Sequence, residues 1–172
     1  MEIESIINDK NTKPKDKTLA LSNMLLGSEI SIKDLIHYAE TAKDSPKATC
    51  IEAMEYATKI NPTIGNAECL IFVSKCLTAK APRIKWESAK VIGNIAHLFP
   101  DKLDEAVKNL LANTEHIGTV VRWSAAYALG EIIKTKYGKN KTLLASIEAI
   151  CEREEKNSIK KIYLAAFKKV KT

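Results

Sequence analysis

Glycine and proline are scarce in this chain, at six and five residues of 172. A sandwich or barrel of many short strands needs a turn about every 8–12 residues, and this sequence cannot supply them. Aromatic residues make up only 6%. No apolar run approaches the ~20 residues of a membrane-crossing helix, so no membrane partner is expected. The opening residues Met1-Glu2-Ile3-Glu4-Ser5 carry acids where a secretory signal carries positive charge and a long apolar stretch, which leads us to expect a cytoplasmic protein. The four cysteines, Cys50, Cys69, Cys76 and Cys151, form no C-x-x-C and lie in apolar helical stretches. They read as buried free thiols, with a metal or redox site as the alternative.

Catalytic signatures are missing too. The chain has no G-x-G-x-x-G, no phosphate-loop lysine motif, no H-E-x-x-H and no G-x-S-x-G. Its histidines, His37, His97 and His116, fall in different segments. The acidic cluster Glu152, Glu154 and Glu155 sits beside Arg153 and Lys156, as at a solvated helix end. These absences predict a protein that is not an enzyme and carries no cofactor and no metal.

What is present favours helices. Apolar residues amount to 45% and charged residues to 28%, an ordinary globular balance fitting one domain over 1–172. Alanine, isoleucine, leucine, lysine and glutamate dominate. The net charge of +6 is unevenly placed: residues 133–172 hold eleven Lys or Arg against four Glu, whereas the remainder is nearly neutral. That basic end could attract phosphate or an acidic protein, or it could be a solvated capping helix.

Pro14, Pro46, Pro62, Pro82 and Pro100 all sit where a helical pattern starts or stops. Asp44-Ser45-Pro46 and Asn61-Pro62 read as a cap followed by proline, Ser31 to Asp34 as a capping box, and Asn140 and Asn157 as caps. Between these marks we expect about ten helices, over 2–9, 15–27, 32–42, 46–60, 63–79, 82–98, 101–114, 118–136, 141–154 and 158–170, with linkers short enough for antiparallel neighbours.

An internal repeat organises these segments. Ile84-Lys85-Trp86-Glu87-Ser88-Ala89-Lys90-Val91-Ile92-Gly93-Asn94-Ile95 returns as Val121-Arg122-Trp123-Ser124-Ala125-Ala126-Tyr127-Ala128-Leu129-Gly130-Glu131-Ile132, at an offset of 37. A third copy, Ile159 to Val170, follows at 38, and a weaker one, Ala48 to Ala57, precedes the first by about 36. A two-helix unit cannot bury its own apolar face, so stacked neighbours must complete the core. Lys160, Lys161, Lys168, Lys169 and Lys171 would give the last helix a polar outer side.

The string from Val121 to Ile132, with its Val-Arg, small residues, Ala-Leu-Gly and Ile, resembles the second helix of a HEAT repeat. It also resembles the short HEAT-like repeats of phycobilisome lyases. The resemblance implies an all-α, right-handed α-α superhelix: a solenoid with four antiparallel helix pairs over 31–172 and an N-terminal cap pair over 1–27. It further implies that second helices line a concave surface. A basic residue at the position of Lys85, Arg122 and Lys160 would pair with an acid of a neighbouring repeat, although the usual acid in the preceding turn is not evident.

At 100° per residue, the apolar set of the repeat helix spans about −20° to +80°, whereas Trp123 lies near 200° and Tyr127 near 240°. Trp86 and Lys90 take the same side of their helix, so each tryptophan shares its side with a glycine, Gly93 or Gly130, that would leave room for the ring. Two readings stand. Trp86 and Trp123 either form a concave binding surface with Lys90, Tyr127, Lys161 and Lys168, or fill the seam between repeats. On the first reading the chain is a non-catalytic scaffold for a protein or peptide partner. The alternative is a DNA- or RNA-binding protein, similar in architecture to HEAT-like alkylpurine DNA glycosylases, with stacking rings and lysines on phosphates. A chromophore lyase is implied only by the repeat's name.

Overall fold

The computed structural model describes residues 2–170, so Lys171 lies outside the described residues. Their regular structure is helical throughout: α1 (Glu2–Asn8), α2 (Pro14–Leu26), α3 (Ile32–Thr41), α4 (Asp44–Ile60), α5 (Ala67–Cys76), α6 (Pro82–Ile95), α7 (Asp104–Asn113), α8 (Thr119–Ile133), α9 (Lys141–Arg153) and α10 (Asn157–Val170). Short 3₁₀ turns cover Pro62–Ile64, Ala96–Leu98 and Lys136–Lys139. The boundaries follow local chemistry. Ser31 and Asp34 form a reciprocal capping box, with Asp34 N–H donating to Ser31 Oγ at 3.1 Å and Ser31 N–H donating to Asp34 Oδ2 at 2.9 Å. Asn140 accepts from Leu143 N–H. Helix α2 ends in a Schellman turn, where Ser28 takes φ 60° and Glu29 N–H donates to Met24 O.

Several expected boundaries shift. Asp44 is the first helical residue of α4, not its cap; Lys43 precedes it in extended conformation without a side-chain capping bond. Asn61 caps the 3₁₀ turn, accepting from Thr63 N–H, and Asn66 starts α5 by accepting from Cys69 N–H at 2.8 Å. The helix expected over 63–79 is therefore a turn, two linking residues and a shorter helix. Helix α7 begins at Asp104, beyond the turn after Pro100. Asn157 is the first residue of α10, and Glu154 accepts from Lys156 N–H just before it.

Each odd-numbered helix packs against the even-numbered helix that follows it, and the pairs stack in chain order. The even helices α2, α4, α6, α8 and α10 lie tightly side by side along the whole series, whereas the odd helices touch more sparsely and α7 and α9 barely meet. A two-layered stack that is tight on one side and spread on the other curves toward the tight side, so the even helices form the inner layer. One continuous core, including Leu35, Ile51, Met54, Val73, Ile92, Leu110, Leu129 and Ile147, runs between the layers. No helix among the described residues is long and apolar enough to cross a membrane.

Candidate interaction surface on the inner helices

The basic residue at the start of each repeat helix explains how one repeat is fixed to the next. Lys85 Nζ donates to Leu77 O at 2.9 Å, Arg122 to His116 O and Ile117 O at 3.1 Å, and Lys160 Nζ to Glu152 O at 3.2 Å. Lys85 and Lys160 thus meet carbonyls at the C-terminal end of the preceding odd helix, where the helix dipole is negative, and Arg122 meets those of the link that follows α7. Two also reach forward into the following repeat. Lys85 donates to Asn113 Oδ1 at 3.0 Å, and Arg122 holds Glu154 through Nε at 3.0 Å and Nη2 at 3.3 Å. The acid absent from the preceding turn stands instead at the end of α9. Burial pushes the Glu154 carboxyl up, but bonds from Arg122 and the Lys156 N–H outweigh it and hold it below the ordinary range. These residues are internal structure.

The tryptophans lie on neighbouring inner helices, Trp86 on α6 and Trp123 on α8, in different surroundings. Trp86 is half-buried and donates from Nε1 to Glu87 Oε1 at 2.9 Å. Trp123 is 39% exposed and stacks on Tyr127 of its own helix, with ring centroids 6.1 Å apart and planes 15° apart. The space over Gly93 is not used by a tryptophan. A Cβ there would lie 2.3 Å from Tyr127 Cε1, so the glycine seats the tyrosine of the next repeat. At Gly130 the neighbours are Ala166 and Ile162 of α10, again not an indole.

Tyr127 is the hinge of the arrangement. Its hydroxyl donates to Asn94 Oδ1 at 2.7 Å, and Asn94 Nδ2 donates to Glu55 O and Thr58 Oγ1, each at 3.1 Å. A hydrogen-bonded chain thereby crosses α8, α6 and α4 and fixes the ring on which Trp123 lies. Burial pushes the Tyr127 hydroxyl up to about 12, so it remains a neutral donor. Asn94 was not foreseen; its sequence signal is a lone amide inside an otherwise apolar helix segment.

Of the anticipated cations, Lys90 is matched to carboxylates. Its ammonium sits 2.9 Å from Glu87 Oε2 and 3.9 Å from Glu55 Oε2. Burial raises the Glu87 carboxyl despite this neighbour. Arg83 is similarly tied to Glu52 at 2.5 Å, and Thr18 of α2 donates to the same carboxylate. Lys161 and Lys168 are exposed on α10. Exposed Val120 extends the Trp123 face by one turn, and Ile117, 93% exposed, stands just before it. Neither apolar residue was singled out from the sequence, although the spacing Val120–Trp123–Tyr127 marks one helix face.

Elsewhere, a cleft of about 420 Å³ between the α7–α8 and α9–α10 connections includes Arg122, Glu154, Arg153, Glu115 and His116. Its arginines pair with its carboxylates, Arg122 with Glu154 and Arg153 with Glu115, and His116 Nδ1 accepts from Gly118 N–H. No cluster of metal-binding side chains occurs among the described residues.

No family model and no curated protein matches this chain. Solved structures do. An engineered protein superposes with a TM-score of 0.77 at 16% identity, covering 99% of this chain and 47% of its own length, so this chain spans about half of that molecule. A designed armadillo repeat protein gives 0.74 at 15% identity, over 98% of this chain and 80% of the other. The complex of CpcE and CpcF of phycocyanin lyase from Nostoc sp. PCC7120 gives 0.73 at 16% identity, over 96% of this chain and 97% of that one. A further designed armadillo repeat protein, solved in complex with peptide (KR)4, gives 0.72 at 16% identity, over 95% and 78%. The ten stacked helices among the described residues and these likenesses agree: the chain has the HEAT/armadillo-like helical-repeat fold.

Proposed function

We propose that this chain is a non-catalytic scaffold that holds a segment of another protein on its inner layer, across α6 and α8, with Trp86, Trp123 and Tyr127 as its main contacts. One observation carries the reading: Trp123 is exposed yet stacked on a tyrosine that is itself bonded through Asn94 to α4. An aromatic anchor fixed before binding loses little conformational freedom on complex formation, and tryptophan and tyrosine dominate the energetics of protein interfaces. The like-folded designed protein bound to peptide (KR)4 and the CpcE–CpcF complex support a protein partner over a small molecule. Lys161 and Lys168 on α10 would border the bound segment.

The nucleic-acid reading rests on those two lysines and the basic C-terminal stretch. Against it, Lys90 and Arg83 are matched to carboxylates on α4 and α6. Panning a displayed library of random peptides against the wild-type chain and Trp123→Ala tests the proposal. Selected peptides should bind the variant at least tenfold more weakly, a hot-spot loss of about 1.4 kcal/mol or more. Far-UV circular dichroism should be unchanged, because the indole is partly exposed. Equal binding by both chains would overturn the proposal. Tight, steeply salt-dependent binding of labelled DNA, with no peptide selected, would establish the alternative.

A further inference from the structure

Helix α10 presents a face that is covered one repeat earlier. At the 38-residue offset, Leu164, Phe167 and Lys168 correspond to Ala126, Leu129 and Gly130 of α8. Ala126 and Leu129 are fully buried, and a Cβ on Gly130 would meet Ala166 of α10 at 3.3 Å. Helix α6 repeats the pattern, with Ala89 and Ile92 buried and Gly93 beneath Tyr127. This is the side on which each inner helix receives its successor. No described helix follows α10, and Leu164 is 53% exposed there. Beside it a cleft of about 400 Å³ opens between α9 and α10, with Phe167 and Cys151 in its lining.

Here the position that holds alanine in α6 and α8 holds an exposed leucine. The edges of the strip carry opposite charge. Glu148 and Glu152 of α9 line one side, and Lys168 of α10 the other, with Lys161 three residues before Leu164 on the same helix.

We propose that this end face pairs with the same face of a second copy of the chain, about a two-fold axis parallel to α9 and α10. That rotation lays α10 of one copy over α9 of the other. Leu164 of each copy then lies against the partner's cleft, and each basic edge meets an acidic one. A two-fold contact demands such self-complementarity. A two-fold axis across the helices would instead set the carboxylates of α9 against their own copies. The helices, of 13 and 14 residues, are each ~20 Å long, and side by side they offer ~400 Å² per copy in projection. Both copies together fall below the ~1,600 Å² of a standard interface, so the pairing belongs to the weak, transient class. It leaves the aromatic surface of α6 and α8 uncovered and shares only Lys161 and Lys168 with the scaffold reading.

Sedimentation equilibrium of the full chain from about 1 µM to about 1 mM, the range in which weak contacts dissociate, tests the pairing. The average mass should climb from one chain toward two and stop there. Leu164→Glu should weaken the association at least tenfold with unchanged circular dichroism. The double variants E148K/E152K and K161E/K168E should each associate poorly alone and pair with one another when mixed. A mass that stays at one chain throughout, or association indifferent to Leu164→Glu, would overturn the proposal. So would growth past two copies without a plateau, the mark of head-to-tail stacking, or a mixture of the double variants that fails to pair.

Discussion

Gly93 and Tyr127 show how one residue's missing side chain places another's ring. Alanine at a mid-helix glycine ordinarily stabilises a helix by up to about 1 kcal/mol. At Gly93 the added Cβ would overlap Tyr127, whose ring cannot swing away without losing the Asn94 bond and the Trp123 stack. Gly93→Ala should therefore lower stability by about 1–3 kcal/mol, as overpacking does. Gly130→Ala, where the nearest atom is the Ala166 methyl at 3.3 Å, should cost less. Thermal melts of the two variants check this, and Gly130→Ala proving the more damaging would contradict the seating of Tyr127. The glycine was legible as a place for a ring, but not whose ring: helical spacing places residues on their own helix and says nothing about reach from the next one.

Between elements, the repeated cation acts as a rivet. Arg122 binds carbonyls of the link between α7 and α8 and the buried carboxylate of Glu154 at the end of α9. Replacing it leaves that carboxylate unpaired, so Arg122→Gln should destabilise the chain by roughly 2 kcal/mol in chemical denaturation at neutral pH. The sign of the pH dependence follows from the lowered Glu154 carboxyl. Its folded-state value lies below the unfolded one, about 4.3. The stabilisation is therefore complete above that pH and is lost as pH falls through the lower, folded value. Wild type and variant should converge as pH falls, and a gap that does not narrow in acid would show that Arg122 acts through the carbonyls rather than through Glu154. The repeat alignment identified the cation, but its acid lies 32 residues ahead and outside the aligned string.

For the molecule as a whole, the core is one continuous stack, and its cysteines report on it. Cys50 and Cys69 are fully buried, and burial pushes both thiols up to about 12; Cys76, less buried, reaches about 11. A thiol reagent at pH ~8 attacks only the thiolate, so Cys50 and Cys69 should stay unlabelled in the native protein and react only as it unfolds, after Cys76. Rapid native labelling of Cys69, read by mass spectrometry of the peptides, would mean that α5 detaches from the stack by itself. The same stacking leaves the even helices tight and the odd ones spread, and it sets Trp86 beside Trp123 and Tyr127 on neighbouring even helices.

The sequence alone determined the helices, the caps at Ser31 and Asn140, the period of about 37 residues and the apolar face of each repeat. These are local properties, set by spacing along one helix and by the residues at its ends. Short links such as Gly65 and Asn66 blurred the boundaries, because a 3₁₀ turn and an α-helix share much of their sequence pattern. What only the tertiary structure decided lies between repeats: that Tyr127 rather than a tryptophan fills the seam, that Lys90 also reaches Glu55 of α4, and that Leu164 stands uncovered. Each depends on the distance between atoms 30 or more residues apart, or on a neighbour's presence, and no periodicity within a single helix encodes that.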